Sequence, residues 1–335
     1  MTQGRPSQLR YDIAAWIAAG GLLLVTLHLH LLPALLAGLL VYELVHVIAA
    51  RITARKGGKV AAVGLLATRI VGLLVAILFG IVEFVRGDAG SLPRLLIKLA
   101  EIVEDSRNKL PAWIVDYIPG DPEAMKAGAI EWLRGHATEL RVVGGDIGHV
   151  FVHLLIGMVI GAMVSLNEAK DSRDNGPLAV ALAERARRLG DAFRNVVFAQ
   201  VRISALNTFF TAIYLLAVLP LAGVHLPYAK TLVAVTFIAG LLPVVGNLIS
   251  NSVIVIVSLS KSLEVAAASL VFLIVIHKLE YFLNARIVGE RIRAKAWEIL
   301  LAMLLMESAF GIAGLVAAPI YYAYVKDELA ARKLV

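Results

Sequence analysis

Two stretches of this sequence, Thr231–Leu259 and Trp297–Val325, are 29 residues long, predominantly apolar, and interrupted near the middle by glycine or proline. One helical crossing of a bilayer takes about 20 apolar residues. Each stretch is therefore too long for one crossing and too short for two. The first breaks at Pro243-Val244-Val245-Gly246-Asn247, the second around Ser308-Ala309-Phe310-Gly311 and Gly314. A helix break frees backbone N–H and C=O groups, which at membrane depth are tolerated only against protein or a water-filled cavity. A pair of such segments in corresponding halves points to the binding site of a transporter.

Composition agrees. The chain is 59% hydrophobic with a mean hydropathy of +0.81, above the roughly 45–50% apolar content of soluble domains. The excess lies in long runs rather than in one-sided helical stripes, so lipid and not a soluble core is the expected surrounding. The absence of cysteine excludes disulfides, thiolate metal sites and cysteine nucleophiles. The net charge of +7 comes from residues flanking apolar spans, which fits anionic headgroups and topology better than nucleic acid. There is no HExxH, GxSxG or P-loop motif, so neither an enzyme, nor an ATP-driven machine, nor a cofactor is expected. The first apolar run lacks a cleavage-site pattern and reads as a retained span.

The expected architecture is an all-α polytopic membrane protein. Full spans are placed at 12–31, 33–50, 60–85, 146–166, 203–224 and 263–285, with two re-entrant helical hairpins from the broken segments. Orientation follows from Lys and Arg. With the N-terminus inside and both broken segments re-entrant, inside segments carry 20 basic residues and outside segments 10, eight of them within 86–141. If the first broken segment crossed instead, Arg286, Arg291, Arg293 and Lys295 would move outside, against the rule. The span 203–224 with its hairpin and the span 263–285 with its hairpin are then one unit used twice, upside down. Inverted repeats of this kind are frequent in secondary transporters.

The chain divides into N-terminal scaffold spans (1–85), a small helical extracytoplasmic insertion (86–145), a fourth span with a cytoplasmic amphipathic helix (146–202), a transport core (203–325) and a cytoplasmic tail (326–335). In the insertion, Leu92, Leu95, Leu96, Leu99, Ile102 and Val103 recur at helical spacing, and Pro119-Gly120-Asp121-Pro122 forms a turn. At about 60 residues such a unit is marginal alone, so it is expected to lean on the membrane domain or on a neighbouring subunit. Within 178–202, Leu178, Leu182, Leu189, Phe193, Val196 and Val197 share a face. Arg185, Arg187, Arg188, Asp191 and Arg194 cover much of the rest, as in a helix lying on the inner membrane surface.

Ionisable groups inside a bilayer mark sites or internal pairs. Glu43 and Arg69 fall at matching depth on neighbouring antiparallel spans, which predicts a structural ion pair. His28 and His30 read as interfacial, with no third ligand nearby, so no metal site is expected. The candidate substrate or ion site gathers the polar residues of the transport core. Asn247 and Asn251, with Ser250, follow the first break beside Pro243 and Gly246. His277, Glu280 and Asn284 share one helix face at i, i+3, i+7. Glu307 and Ser308 stand at the second break beside Gly311 and Gly314. Asn207, with Gln200 and Thr208, faces the cavity from the fifth span. A buried Glu280 near His277 suits proton exchange.

The stretches Ile238–Ile249 (IAGLLPVVGNLI), His277–Gly289 (HKLEYFLNARIVG) and Leu304–Pro319 (LLMESAFGIAGLVAAP), in this order, resemble the autoinducer-2 exporter family, also called the PerM-like permeases, over nearly the whole chain. The resemblance implies a bacterial or archaeal inner-membrane secondary transporter, homo-oligomeric and pentameric, working by an elevator-like motion of a hairpin half against a scaffold half. Some relatives are linked to export of the signalling furanone, others to sodium–proton exchange. By position, Pro243 and Gly246 match the first hairpin's turn, and Glu280 the family's acidic residue. Gly289 matches the loop glycine, and Gly311, Gly314 and Pro319 the second hairpin. Many relatives carry a proline before that loop glycine where this chain has Ala285-Arg286, so their substrate is not carried over.

Overall fold

The computed structural model describes residues 5–52, 59–86, 98–99, 101–103, 105–106, 131, 147–168, 176–242, 245–287 and 295–334. Among them there is no strand. The helices are α1 (Arg5–His28), α2 (Leu32–Ile52), α3 (Lys59–Arg86), α4 (Ile147–Glu168), α5 (Pro177–Ile213), α6 (Ala229–Gly240), α7 (Val245–Leu259), α8 (Leu263–Ile287) and α9 (Ala296–Ala331). Six of these, α1 to α5 and α9, contain segments long and apolar enough to cross a membrane. The expected span at 263–285 is present as α8 but is not among the six, whereas the second broken segment is.

Two boundaries differ from the sequence reading. The amphipathic helix of 178–202 and the span from 203 are one unbroken helix, because no Gly or Pro interrupts 191–213. The 37 residues of α5 extend about 55 Å. The helix yields only at its C-terminal end, through a π-helical turn Tyr214–Val218 and a last turn Leu219–Leu221 containing Pro220. In addition, α9 hides a break. Gly311 has φ 59° and ψ −143°, a conformation open essentially to glycine alone.

The chain forms two compact units, residues 1–78, 146–198 and 290–335, and residues 79–145 and 199–289. The first holds α1, α2, most of α3, α4, the N-terminal part of α5 and α9. Its α1 ends with His30 in the left-handed region (φ 56°), where Leu31 N–H reaches back to the Thr26 carbonyl at 2.8 Å and satisfies a terminal acceptor. Pro33, in the first turn of α2, lacks only an N–H that would be orphaned there anyway.

α2 and α4 meet backbone to backbone. A Cβ placed on Gly157 would stand 2.0 Å from the Ala34 carbonyl oxygen, and one on Gly161 2.2 Å from that of Gly38. The matching Ala34-x3-Gly38 and Gly157-x3-Gly161 spacings bring two helices together without side chains between them, a device of membrane helix pairs. Around this contact Ala37, Val41, Val45, Val63, Ala67, Ile70 and Met158 form one core.

In the second unit Tyr214, Leu215, Leu232, Ile254, Val257 and Leu273 form a common core. Many large apolar side chains outside both cores are exposed, among them Leu22, Leu73, Met163, Leu248 and Leu304, as expected of helices solvated by lipid.

Candidate functional site

The first hairpin is α6 and α7. A Cβ on Gly246 would lie 1.9 Å from the Ala239 carbonyl oxygen, so the second arm starts packed directly on the end of the first. The last turn of α6 leaves carbonyl groups without helical partners. α5 supplies donors for them. Gln200 Nε2 donates to the Gly240 carbonyl at 2.6 Å and Ser204 Oγ to the Phe237 carbonyl at 2.6 Å. Gly240 is needed here because a Cβ would stand 2.6 Å from the Ser204 hydroxyl.

One turn further along, Asn207 Nδ2 donates to the Asn247 side-chain oxygen at 3.0 Å. Gln200, Ser204, Asn207 and Thr211 follow the i, i+4, i+7, i+11 spacing of one helix face. Thr211, 1% exposed, and Thr208 each hold a buried hydroxyl without a hydrogen-bond partner. Buried polar atoms are ordinarily paired, so this face of α5 has hydrogen-bonding capacity to spare beside the hairpin tip. Ser250 turns its hydroxyl back to the Asn247 carbonyl, and Asn251 is half-buried one residue on.

On α8, His277 is exposed. For Glu280 and Asn284 the helical backbone alone is described, and Pro243 and Gly289 lie outside the described residues. Within the second unit, then, Asn207 and Asn247 are brought together, with Gly246 beneath them.

The second broken segment lies in the other unit. Residues eight apart in a straight helix are separated by about 12 Å, yet a Cβ on Gly314 would stand 1.8 Å from the Met306 carbonyl oxygen. The chain therefore reverses at Gly311. Its arms are held together far from the turn. Glu298 Oε2 accepts from the Tyr322 hydroxyl at 2.8 Å and from Lys326 Nζ at 2.5 Å. Near the turn, Glu307 and Ser308 are exposed, and Ser308 donates to the Leu304 carbonyl. Both hairpins thus carry a glycine just past the reversal, pressed on a carbonyl of the preceding arm.

The charges outside the hairpins are paired differently from expectation. Glu43, 3% exposed, meets Arg194 of α5 at 3.3 Å, and Arg69 is exposed on α3. A chain of polar contacts at the same end joins Tyr42 and His46 to Glu168 at 2.9 and 3.0 Å.

The arginines of α5 do not all face outward either. Arg185 is 5% exposed, 3.2 Å from Glu328 and 3.4 Å from Asp12, with its guanidinium 5.5 Å from the Trp16 ring centre. Arg332 stacks on the same ring and pairs with Asp12, while Trp16 Nε1 donates to Glu328 at 3.1 Å. Leu178 and Leu182 are exposed, while Phe193 and Val196 further along are buried. Two carboxylates and an indole offset the desolvation of Arg185.

Sequence reasoning missed this cluster, which joins residues over 300 positions apart. It also missed the α2–α4 contact, although the Gly157-x3-Gly161 spacing signals it.

Comparison with known proteins adds one finding. The family model described as AI-2E family transporter matches residues 13–332. Searches of curated proteins and of solved structures return no match.

Proposed function

Because the chain belongs to the AI-2E family of transporters and is a multi-pass membrane protein, we propose that it is a secondary transporter. It exports a small polar metabolite or signalling molecule across the inner membrane of a bacterium or archaeon, driven by an ion gradient. Its termini are cytoplasmic, its two hairpins re-entrant and inverted relative to each other, and its assembly pentameric. A hairpin-bearing half moves against a scaffold half in an elevator-like manner.

The observation that carries this reading is the Asn207–Asn247 contact at the first hairpin, with the buried hydroxyls of Thr208 and Thr211 beside it. Neutral donors and acceptors at a helix break suit a small hydrogen-bonding solute. Asn251, His277, Glu280 and Asn284 supply further polar contacts. Glu307 and Ser308, beside Gly311 and Gly314, serve the second tip.

A second reading, sodium–proton antiport, draws on the acidic residues Glu280 and Glu307 in apolar helices. A third, a membrane scaffold without transport, predicts that changing Asn247, Glu280 and Glu307 together alters stability alone.

Flux into proteoliposomes containing a pH dye separates them. A sodium gradient that moves protons in wild type and not in Glu280→Gln establishes antiport. Silence in both removes antiport and directs the assay to organic solutes.

A further inference from the structure

The insertion between α3 and α4 belongs to the second unit, and a few of its residues are described. Lys98–Leu99, Glu101–Val103 and Asp105–Ser106 are helical. Leu99, Ile102 and Ser106, spaced i, i+3, i+7, lie on one face. All three are buried, Ile102 to 3% exposure, and Leu99 and Ile102 join the core that contains Leu226, Leu232 and Leu259.

This stretch thereby shares a core with both arms of the first hairpin, Leu232 of α6 and Ile254, Val257 and Leu259 of α7. The Ser106 hydroxyl donates to the carbonyl of Leu259 at 3.4 Å, the last residue of α7.

We infer that the described residues of 98–106 form a clasp across the two arms of the first hairpin, away from the tip that carries Asn247, and travel with that hairpin during transport. The hairpin arms are joined at the tip by the Gly246–Ala239 contact. The clasp holds them together away from it, so the hairpin moves as one piece and anything that grips the clasp restrains it. The part concerning movement rests on the transport reading above; the clasp itself does not.

Two experiments separate these parts. The first uses hydrogen exchange of the purified full-length protein and needs no substrate. Ile102→Val, a mild truncation, raises exchange across Val245–Leu259 about tenfold and leaves α2 and α4 unchanged, since local opening tracks local packing. An unchanged rate at Val245–Leu259 overturns the clasp.

The second uses the absence of native cysteine. Asp105→Cys with Lys261→Cys, at exposed positions beside Ser106 and Leu259 and bridged by a short bis-maleimide, keeps the flux of the unbridged pair in the sodium-gradient assay, or in the assay of whichever solute wild type is found to carry. Loss of flux on bridging overturns the shared movement. A wild type silent for every driven solute instead counts against the transport reading and leaves the exchange result standing.

Discussion

Asn207 of α5 and Asn247 of α7 share one hydrogen bond, 3.0 Å long, one helical turn beyond the point where Ser204 closes off the end of α6. Asn207 Nδ2 donates and the Asn247 side-chain oxygen accepts, so either truncation removes the same bond. Truncating one and truncating both should therefore impair the protein to similar degrees, a coupling that a double-mutant cycle reads directly. We expect Asn207→Ala and Asn247→Ala each to lower flux about tenfold, corresponding to about 1.4 kcal/mol in the transition state for transport. The double variant should be no worse than twofold below either. Thermal unfolding should move little, since one such bond contributes about 1 kcal/mol. Additive losses would show that the two residues act separately.

Gly246 and Gly314 tolerate no side chain. Alanine would place a methyl group within 2 Å of a carbonyl oxygen at both positions. Each substitution should destabilise the protein by about 1–3 kcal/mol through overpacking, measured as a lowered unfolding midpoint in detergent. Gly20→Ala is the control, since nothing lies within 4 Å of its Cβ position, and an alanine inside a helix is favourable by up to about 1 kcal/mol. Equal loss in all three would refute the close-contact explanation.

Gly311 fails for a different reason. Its Cβ position is open, but its backbone has φ 59° and ψ −143°. Gly311→Ala should cost about 1–3 kcal/mol through backbone strain. Restoring space nearby, as with Met306→Ala, should not rescue it. Rescue by Met306→Ala would mean crowding rather than strain.

The buried Glu43 depends on Arg194. Arg194→Ala strands the carboxylate, whereas Glu43→Gln with Arg194→Ala removes both charges. The single arginine variant should be less stable than the double variant by about 1–3 kcal/mol, below the loss typical of fully buried pairs because Arg194 is partly exposed. Arg69→Ala should leave the unfolding midpoint within experimental scatter. Destabilisation by Arg69→Ala comparable to that of Arg194→Ala would reinstate the pairing suggested by depth along the spans.

The apolar runs and their breaks made the helical architecture legible in the sequence, because backbone satisfaction in lipid leaves so few alternatives. Gly246, Gly311 and Gly314 could be singled out since glycine inside an apolar segment signals close approach or unusual torsion. The pairing of charges was less legible. Depth along a span says how far two residues are from a membrane face, but not which helices are neighbours. Glu43 and Arg69 share a depth, yet Glu43 turns to Arg194. Arg185 sits on the buried face for a similar reason, since its partners Asp12 and Glu328 lie at the far ends of the chain. Asn207 could be singled out as a polar residue of an apolar span, but its meeting with Asn247 could not, because periodicity does not say which helices are neighbours. A hydropathy profile divides α5 because its first half is charged and its second half is not.

The cluster of Asp12, Trp16, Arg185, Glu328 and Arg332 has a consequence for the order in which the molecule is assembled. Each hairpin closes through residues fewer than 30 positions apart, so it can form as soon as its own segment has been synthesised. The first helix has no such freedom. Its aspartate and tryptophan can meet Arg185 earlier, but Glu328 and Arg332 join them only when the end of the chain has left the ribosome, so the cluster around the first helix is completed late. Nascent chains stopped before Glu328 should leave Trp16 more open to quenchers than it is in the finished protein.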